Sequence, residues 1–227
     1  MKHSAHTPEA LVIGPVADVT RDEAFAFHRA NLGEFLLPLA SATFQQIVEE
    51  RQAFAIELRG YMAGLCYVKP DGKELDSVAR WEFGGLYLAP ALRGLGLGAV
   101  LSTVAIAAVT HAGRKPVMGY VHQDNHVGLG MLVRRLGFTM TDQTVRLGPH
   151  DASGHLRRDS DGCATAHVLC LPEAGMECIA DDLEHLGDSS WSHATQLSLR
   201  LADGLFPSGL HEVVRNLRTV VKSCNSG

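Results

Sequence analysis

The sequence is poor in the residue patterns that build disulfide scaffolds and metal sites. It has five cysteines, an odd number, and no C-x-x-C pair, which argues against a zinc knuckle and a complete disulfide framework. Its twelve histidines lack the H-E-x-x-H spacing of a metallohydrolase. We therefore expect no bound metal and a reduced environment, which indicates a cytoplasmic protein.

A dominant charge of one sign is also missing. Lys and Arg total 20 against 25 Asp and Glu, which gives a formal net charge of -5. A surface that binds nucleic acid through phosphates needs a basic footprint, so we expect no nucleic-acid partner. Apolar residues make up 46% of the chain, which excludes a disordered segment and leaves enough apolar side chains for a large core.

A secretory leader and a membrane span are not expected either. The first residues, Met1 to Ser4, do not begin an apolar stretch with a small-residue cleavage site. Residues 94–113 contain no Asp, Glu, Lys or Arg, and this length would cross a bilayer. Four glycines in that run, three of them at its start, favour instead a loop that enters a buried helix.

Hydrophobic patterning predicts a regular succession of strands and helices up to residue 171. The expected order is β-α-α-β-β-β-α-β-α-β, with a further strand at 164–171. Strands are predicted at 11–16, 53–58, 61–68, 80–89, 116–122 and 138–147, and helices at 20–33, 41–52, 98–112 and 126–136. Gly84-Gly85 in the fourth strand indicates a bulge or a close approach. This order is an α+β layout with a mixed sheet.

The last third differs from the rest in charge. Residues 1–150 hold 14 bases and 14 acids, so the whole net charge of -5 belongs to residues 151–227. Six acids occur between 173 and 188 without one Lys or Arg. A solvated helix face explains them, and a wall that attracts a cationic amine is the alternative.

The pattern of the last third predicts helices, at 173–186, 190–205 and 207–222. We therefore predict a core at residues 1–171 and a helical extension at residues 172–227. The extension would pack on the core, form a homodimer interface or cover the acceptor site.

The most informative segment leads from the fourth strand into the next helix. Residues 86–98 read LYLAPALRGLGLG, and glycine at alternating positions lets the N–H groups of the turn and the helix start converge on a phosphate. A dinucleotide fingerprint needs its last glycine one position later and an acid about 20 residues further on. A Walker loop needs Gly-Lys-Ser/Thr, so neither fits. A turn that only permits close helix packing is the remaining alternative.

Two motifs together make the sequence resemble the GCN5-related N-acetyltransferase (GNAT) superfamily. The stretch Arg-x-x-Gly-x-Gly at 93–98 is similar to the family signature R/Q-x-x-G-x-G/A. Asn125, the helix after it and Gly137-Phe138 resemble the family's second signature, and the order of elements agrees. The resemblance implies a GNAT fold over about three quarters of the chain, with a mixed, mostly antiparallel sheet that splays between strands 4 and 5.

The resemblance also implies an acyl-CoA cosubstrate, acetyl-CoA or a related one. The fourth strand would pair with the pantetheine arm, the glycine loop would hold the pyrophosphate, and Asn125 would contact the arm from the other side. Gly128 and Gly130 weaken the helix, which indicates a close approach by the cofactor or a strand. The expected cofactor-binding residues are Leu86, Tyr87, Leu88, Arg93, Gly94, Leu95, Gly96, Leu97, Gly98 and Asn125.

The implied chemistry is acyl transfer to an amine by direct attack in a ternary complex. A general base must take the ammonium proton. Glu82 is the candidate, because it lies on the fourth strand with the parity of Leu86 and Leu88. The alternative is a carboxylate that only pairs with Arg80 or a loop lysine. The backbone N–H of Leu88 is the candidate oxyanion donor.

The sequence departs from the family at the residue that often protonates the leaving thiolate. The tyrosine found there in many members corresponds to Val133, which has no proton to give. Tyr120 and His122 are candidate substitutes, with His126 nearby, although an ordinary strand side chain is the commoner role. A thiolate can also leave without an acid, because its pKa is near 8.5.

Two functions of different class are consistent with these features. The first is an N-acyltransferase acting on an amine. If the acidic segment borders the acceptor site, it would favour a cationic amine. The second is a catalytically silent acyl-CoA-binding module whose C-terminal helices carry the interaction. Glu82 favours the enzyme and Val133 favours the silent module. The acceptor stays open among small amines, antibiotics, amino acids, peptide termini and protein lysines.

Overall fold

The computed structural model describes residues 9–72, 79–111, 115–148, 150, 155–188, 192–193 and 197–222. These residues form nine strands and six α-helices. The strands are β1 (Glu9–Pro15), β2 (Ala53–Leu58), β3 (Tyr61–Pro70), β4 (Trp81–Leu88), β5 (Val117–His122), β6 (Thr139–Leu147), β7 (Ala164–Leu171), β8 (Ser192–His193) and β9 (Leu197–Leu201). The helices are α1 (Arg21–Ala30), α2 (Ser41–Glu49), α3 (Leu97–Thr110), α4 (His126–Arg135), α5 (Glu173–Asp188) and α6 (Leu210–Lys222).

The described strands make one mixed sheet in the order β6-β7-β5-β4-β3-β2-β1-β9-β8. The pairs β1–β9 and β4–β5 are parallel, and the other neighbours are antiparallel. Every element predicted up to residue 171 is present, with ends shifted by a few residues. The predicted α+β fold with a mixed, mostly antiparallel sheet is confirmed.

Strand β4 is irregular at its paired glycines. Tyr67 of β3 pairs with Gly84 and Leu65 pairs with Tyr87, so two residues of β4 lie opposite one residue of β3. Gly85 has φ +65°, and a Cβ there would overlap the ring of Tyr67. Glycine is therefore required for the buried tyrosine to pack across the strand, and the predicted bulge is confirmed.

The sheet opens between β4 and β5, as expected. The two strands pair only where residues 81–83 face residues 117–119, although β4 continues to Leu88. The main-chain groups of β4 that face β5 therefore border a gap in the sheet beyond this point.

The charge-free run at 94–113 is a glycine turn that leads into the buried helix α3. Leu97, Leu101 and Ile106 of this helix are fully buried in the largest apolar cluster. Within the described ranges, no helix combines the length and apolarity that a membrane crossing requires.

The C-terminal part departs from the prediction. The helices predicted at 173–186 and 207–222 are present as α5 and α6, but the helix predicted at 190–205 is wrong. Residues 197–201 form β9 and pair in parallel with β1. Leu197-Ser-Leu-Arg-Leu alternates with the period of a strand, and the free edge of β1 supplies the partner. The extension is therefore not wholly helical, and the proposed division after residue 171 stays a prediction.

Candidate active site

Two cavities lie at the gap between β4 and β5, and a third borders the glycine loop and α3. The glycine-loop cavity, of about 510 Å³, is bordered by Gly94 and Gly96 of the loop, by α4 and by α5. The strand-gap cleft, of about 220 Å³, lies between Leu86 and Asn125. The apolar cavity, of about 310 Å³, extends from Glu82 under two long loops. The cleft and the apolar cavity share Phe35, Leu36, Phe83, Gly84, Gly85 and Tyr120.

The glycine loop leads into α3 with backbone N–H groups that the helix leaves without acceptors. Gly94 and Gly96 have φ of +77° and +78°, a conformation that other residues resist. Gly96 is the N-cap of α3, so the N–H groups of Leu97 and Gly98 have no acceptor within the helix. A Cβ on Gly98 would meet Met131 and Leu86 of the neighbouring cleft. The loop therefore joins the glycine-loop cavity to the strand-gap cleft.

The side chain of Arg93 fixes the loop to β4. Its Nε donates a hydrogen bond of 3.0 Å to the carbonyl oxygen of Leu88, and its guanidinium carbon lies 5.0 Å from the centre of the Tyr87 ring. Tyr87 in turn packs edge-on against Phe27. Arg93 and Tyr87 thus hold the strand end and the loop in one arrangement.

Two arginines that the sequence analysis missed line the glycine-loop cavity. Arg134 and Arg135 end α4, and they face a cavity that α5 borders with Asp182 and His185. Partial burial raises the pKa of Asp182, against the opposite influence of His185 and Arg135. The basic pair is visible in the sequence, but its approach to the glycine loop depends on how α4 packs.

The orientation of β4 directs alternate N–H groups into the gap. The N–H of Ala89 donates to the carbonyl oxygen of Ala63, and Gly64 faces Leu88 in the register. In an antiparallel pair, hydrogen-bonded and non-hydrogen-bonded residues alternate, so the N–H of Leu88 points away from β3. Leu86 lines the strand-gap cleft, whereas Leu88 borders the loop.

Asn125 lines the strand-gap cleft and also caps α4. Its Oδ1 accepts a hydrogen bond of 2.9 Å from the N–H of Gly128. A Cβ on Gly128 would overlap the Asn125 amide, and one on Gly130 would overlap the Arg134 guanidinium. The Asn125 amide therefore leaves no room for a Cβ at Gly128, whereas the flexible Arg134 side chain could move away from one at Gly130.

Glu82 lies at the edge of the apolar cavity and pairs with a lysine. Lys69 of β3 is its direct cross-strand partner, and the Lys69 Nζ lies 2.5 Å from the Glu82 Oε2. Both side chains are mostly buried, with 16% and 21% of their area exposed. Among the described residues, the partner of Glu82 is therefore a lysine of the neighbouring strand.

Tyr120 lies where the cleft and the apolar cavity meet. Its hydroxyl donates a hydrogen bond of 2.7 Å to the Oδ2 of the buried Asp71. Burial, and then this hydrogen bond, raise the pKa of Tyr120 well above its usual range. Tyr120 therefore keeps its proton at neutral pH.

His122 uses both ring nitrogens in the fold. Its Nδ1 accepts the N–H of Asp124 at 3.2 Å, so the Nε2 carries the proton and donates to the carbonyl oxygen of Arg157 at 3.0 Å. The ring packs against Phe35. These contacts give His122 a structural role and do not favour it as an acid.

Val133, at the position where many family members have a tyrosine, is 40% exposed.

Two loops form the roof of the apolar cavity. The first connects α1 to α2, and the second connects β6 to β7. The N–H of Arg157 donates to the carbonyl oxygen of Glu34 at 2.8 Å, and His155 Nε2 donates to that of Leu36 at 3.2 Å. The N–H of Leu39 donates to His28 Nε2 at 3.3 Å. The roof is therefore attached both to itself and to α1.

The described part of the chain contains no group of three or more His, Cys, Asp or Glu placed to hold a metal ion. The expectation that the protein uses no metal stays a prediction. Among the described cysteines, Cys66, Cys163, Cys170 and Cys178 are free thiols.

Comparison with known proteins agrees with this geometry. The sequence model of the acetyltransferase (GNAT) family matches residues 20–138, and no curated protein sequence matches the chain. The structure of the ribosomal-protein-S18-alanine N-acetyltransferase from Escherichia coli gives a TM-score of 0.51 at 19% identity and covers 71% of this chain and 93% of its own. The NatC complex bound to Gag peptide and CoA gives 0.54 at 19% identity, with 72% and 98% covered.

A third structure, yncA from Salmonella typhimurium with its cofactor acetyl-CoA, gives a TM-score of 0.53 at 17% identity, with 71% and 92% covered. At these identities the three structures show a shared fold. The family match covers more than half of the chain and includes both motifs up to Phe138. The predicted enzyme class, a GNAT-type N-acetyltransferase, is confirmed with the family. The chain belongs to the acetyltransferase (GNAT) family.

Proposed function

We propose that the protein transfers an acetyl group from acetyl-CoA to a primary amine by direct attack in a ternary complex. The observation that carries the proposal is that the strand-gap cleft and the apolar cavity adjoin along the gap between β4 and β5, next to the glycine loop, whose Gly98 faces Leu86 and Met131 of the cleft. A donor entering at the glycine loop and an acceptor entering under the roof would meet beside Tyr120.

The residues at the donor end fit CoA. The N–H groups at the glycine loop and the start of α3 would bind an anion, and Arg134 and Arg135 would add positive charge beside it. The open edge of β4 offers main-chain groups to an extended arm. We propose that residues 86–88, residues 93–98, both arginines and the amide nitrogen of Asn125 hold the cosubstrate.

The proposed catalytic groups lie on β4 and β5. Bound acetyl-CoA would supply the acetyl thioester. Glu82 would accept the ammonium proton, and Tyr120, which lies where the cleft and the apolar cavity meet, stays the candidate acid for the leaving thiolate. Glu82 and Leu88 are six residues apart, about 20 Å along an extended strand. We therefore place the oxyanion donor at the N–H of Leu86, which lines the cleft, and let Glu82 act through water.

The test separates binding from turnover. We expect CoA to raise the Tm, because a ligand that binds only the native state stabilises it. We also expect thiol release from acetyl-CoA with a panel of primary amines. No Tm shift at millimolar CoA would contradict the proposal. A clear shift without turnover on any amine would support the silent acyl-CoA-binding module, which the absence of a tyrosine at Val133 favours.

A further inference from the structure

The walls of the apolar cavity define a class of acceptor, and this inference rests on the function proposed above. We propose that the acceptor is a primary amine whose skeleton is apolar beyond the reacting nitrogen. A free amine with an aliphatic group and a peptide with an apolar first residue share this chemistry. The ammonium gives one proton to Glu82, the N–C bond forms as the thioester C–S bond breaks, and the second proton ends on the CoA thiol.

The side chains that surround the cavity are mainly hydrocarbon. The roof contributes four large apolar residues from the loop between α1 and α2, and Leu156 from the loop between β6 and β7. The far wall is formed by β6 and β7. The six that matter most are Phe35, Leu36, Leu37, Leu39, Leu147 and Leu156. An apolar ligand group that fills this volume is removed from water, which is favourable by about 25 cal/mol for each Å² of apolar surface buried.

The polar groups that border the cavity are engaged with one another. Glu82 is the one acid among its described lining residues, and Lys69 balances its charge at 2.5 Å. Tyr120 donates to Asp71, and both nitrogens of His122 are bonded. A second cationic group on the acceptor would lose its hydration here without gaining a free counterion.

The acidic segment that suggested a cationic acceptor lies elsewhere. Asp181 and Glu184 of α5 each lie 2.6 Å from Arg218 of α6, and Asp182 borders the glycine-loop cavity. The described lining of the apolar cavity ends at Ala166, before α5 begins. The charge that surrounds the acceptor is therefore balanced, and apolar packing is what distinguishes one amine from another.

Bisubstrate analogues test this inference without requiring turnover. Norleucinamide and lysinamide, each joined to the CoA sulfur through an acetyl bridge on the α-nitrogen, differ mainly by one terminal ammonium. We expect calorimetry on the full chain to give a Kd at least about tenfold lower for the norleucine analogue, and lower than for CoA alone. A third analogue with a Leu-initiated peptide distinguishes a peptide acceptor from a free amine.

The outcomes separate the two proposals. If CoA itself does not bind, the proposed function fails. If CoA binds and the lysine analogue binds as tightly as the norleucine analogue or more tightly, only the acceptor class is overturned. Equal Kd values for CoA and both amine analogues would overturn it as well.

A matched pair of variants locates the selectivity in the cavity. Leu37 is 47% exposed at the roof, so Leu37→Asp adds a charge without emptying the core. We expect the Kd of the lysine analogue divided by the Kd of the norleucine analogue to fall several-fold, because the new carboxylate attracts the second ammonium. The Kd for CoA should be unchanged. Val19→Asp, at a position 93% exposed and outside the cavity lining, should keep the ratio. An unchanged ratio in Leu37→Asp would overturn the assignment.

Discussion

Among single residues, Glu82 decides whether the site has a base. We expect Glu82→Gln to lower kcat by about 10²- to 10⁴-fold, the usual effect of losing a general base. The Kd for CoA should not change, because Glu82 does not line the glycine-loop cavity. Thiol release under saturating acetyl-CoA measures the first quantity and calorimetry the second.

The alternative role of Glu82 is to pair with Lys69, and Lys69→Met distinguishes the two. That variant removes the ion pair but keeps the carboxylate. If Glu82 only pairs, Lys69→Met and Glu82→Gln should lower kcat and Tm to the same extent. A much larger loss of kcat in Glu82→Gln alone identifies the base.

A substitution at Gly96 tests whether the glycine loop forms the anion site. A Cβ at Gly96 would lie in open space, so Gly96→Ala is opposed only by its φ of +78°, at a cost of about 1–2 kcal/mol. Turning this residue moves the first N–H groups of α3, so we expect the Kd for CoA to rise.

Gly204→Ala is the matched control for Gly96→Ala. Gly204 also has a positive φ, +70°, and open space around its Cβ, but it lies in the turn before α6. Calorimetry with CoA and thermal unfolding should show a similar loss of stability in both variants and a weaker CoA affinity in Gly96→Ala alone. An equal change in affinity would mean that the loop has no special part in binding.

At the scale of elements, one buried histidine ties the roof to α1. His28 is 3% exposed, stacks on Phe44 and accepts the N–H of Leu39. Burial lowers the pKa of His28 below the value of about 6.5 that is usual for histidine. The unfolded chain therefore binds a proton at His28 more readily than the folded chain does. The contribution of neutral His28 to the free energy of unfolding is complete above about pH 6.5 and declines as the pH falls below it.

We predict that this histidine makes the roof sensitive to acid. Urea unfolding between pH 7.5 and 5.5 should show stability declining below pH 6.5, and His28→Phe, which keeps the stacking, should reduce that decline. In the same range the KM for the amine should rise more than the KM for acetyl-CoA. His211→Gln, at an exposed position of α6, is the control. The same pH slope with and without His28 would contradict the prediction.

Patterns within one element were predictable from the sequence, and pairings between distant elements were not. The glycine loop, the bulge at Gly84-Gly85 and the order of strands depend on local periodicity and on the conformational freedom of glycine. The Lys69–Glu82 pair depends on the register between β3 and β4, which local patterns do not set. Strand β9 depends on the free edge of β1, which its five residues cannot specify alone. The apolar cavity is lined by residues from two loops and five strands, so local patterns in the sequence could not predict it.

Across the whole molecule, the C-terminal elements share the core of the rest. Val213, Val214 and Leu217 of α6 are buried in the same apolar cluster as Leu101 of α3 and Leu11 of β1. The N–H of Ala202, after β9, donates to the carbonyl oxygen of Ile13 at 2.7 Å. Because this part buries its apolar surface against the sheet and α3, we expect it to unfold together with them.

Leu217→Ala tests whether the chain unfolds as one unit. Leu217 is fully buried, so the substitution should lower the free energy of unfolding by about 2–5 kcal/mol. Circular dichroism and tryptophan fluorescence should show a single transition at a lower denaturant concentration, and CoA should shift that whole transition upward. Arg215→Ala, two residues away on the exposed face, should change stability by no more than about 0.5 kcal/mol. Two separate transitions in Leu217→Ala would instead mean that residues 172–227 form an appendage to an independent core.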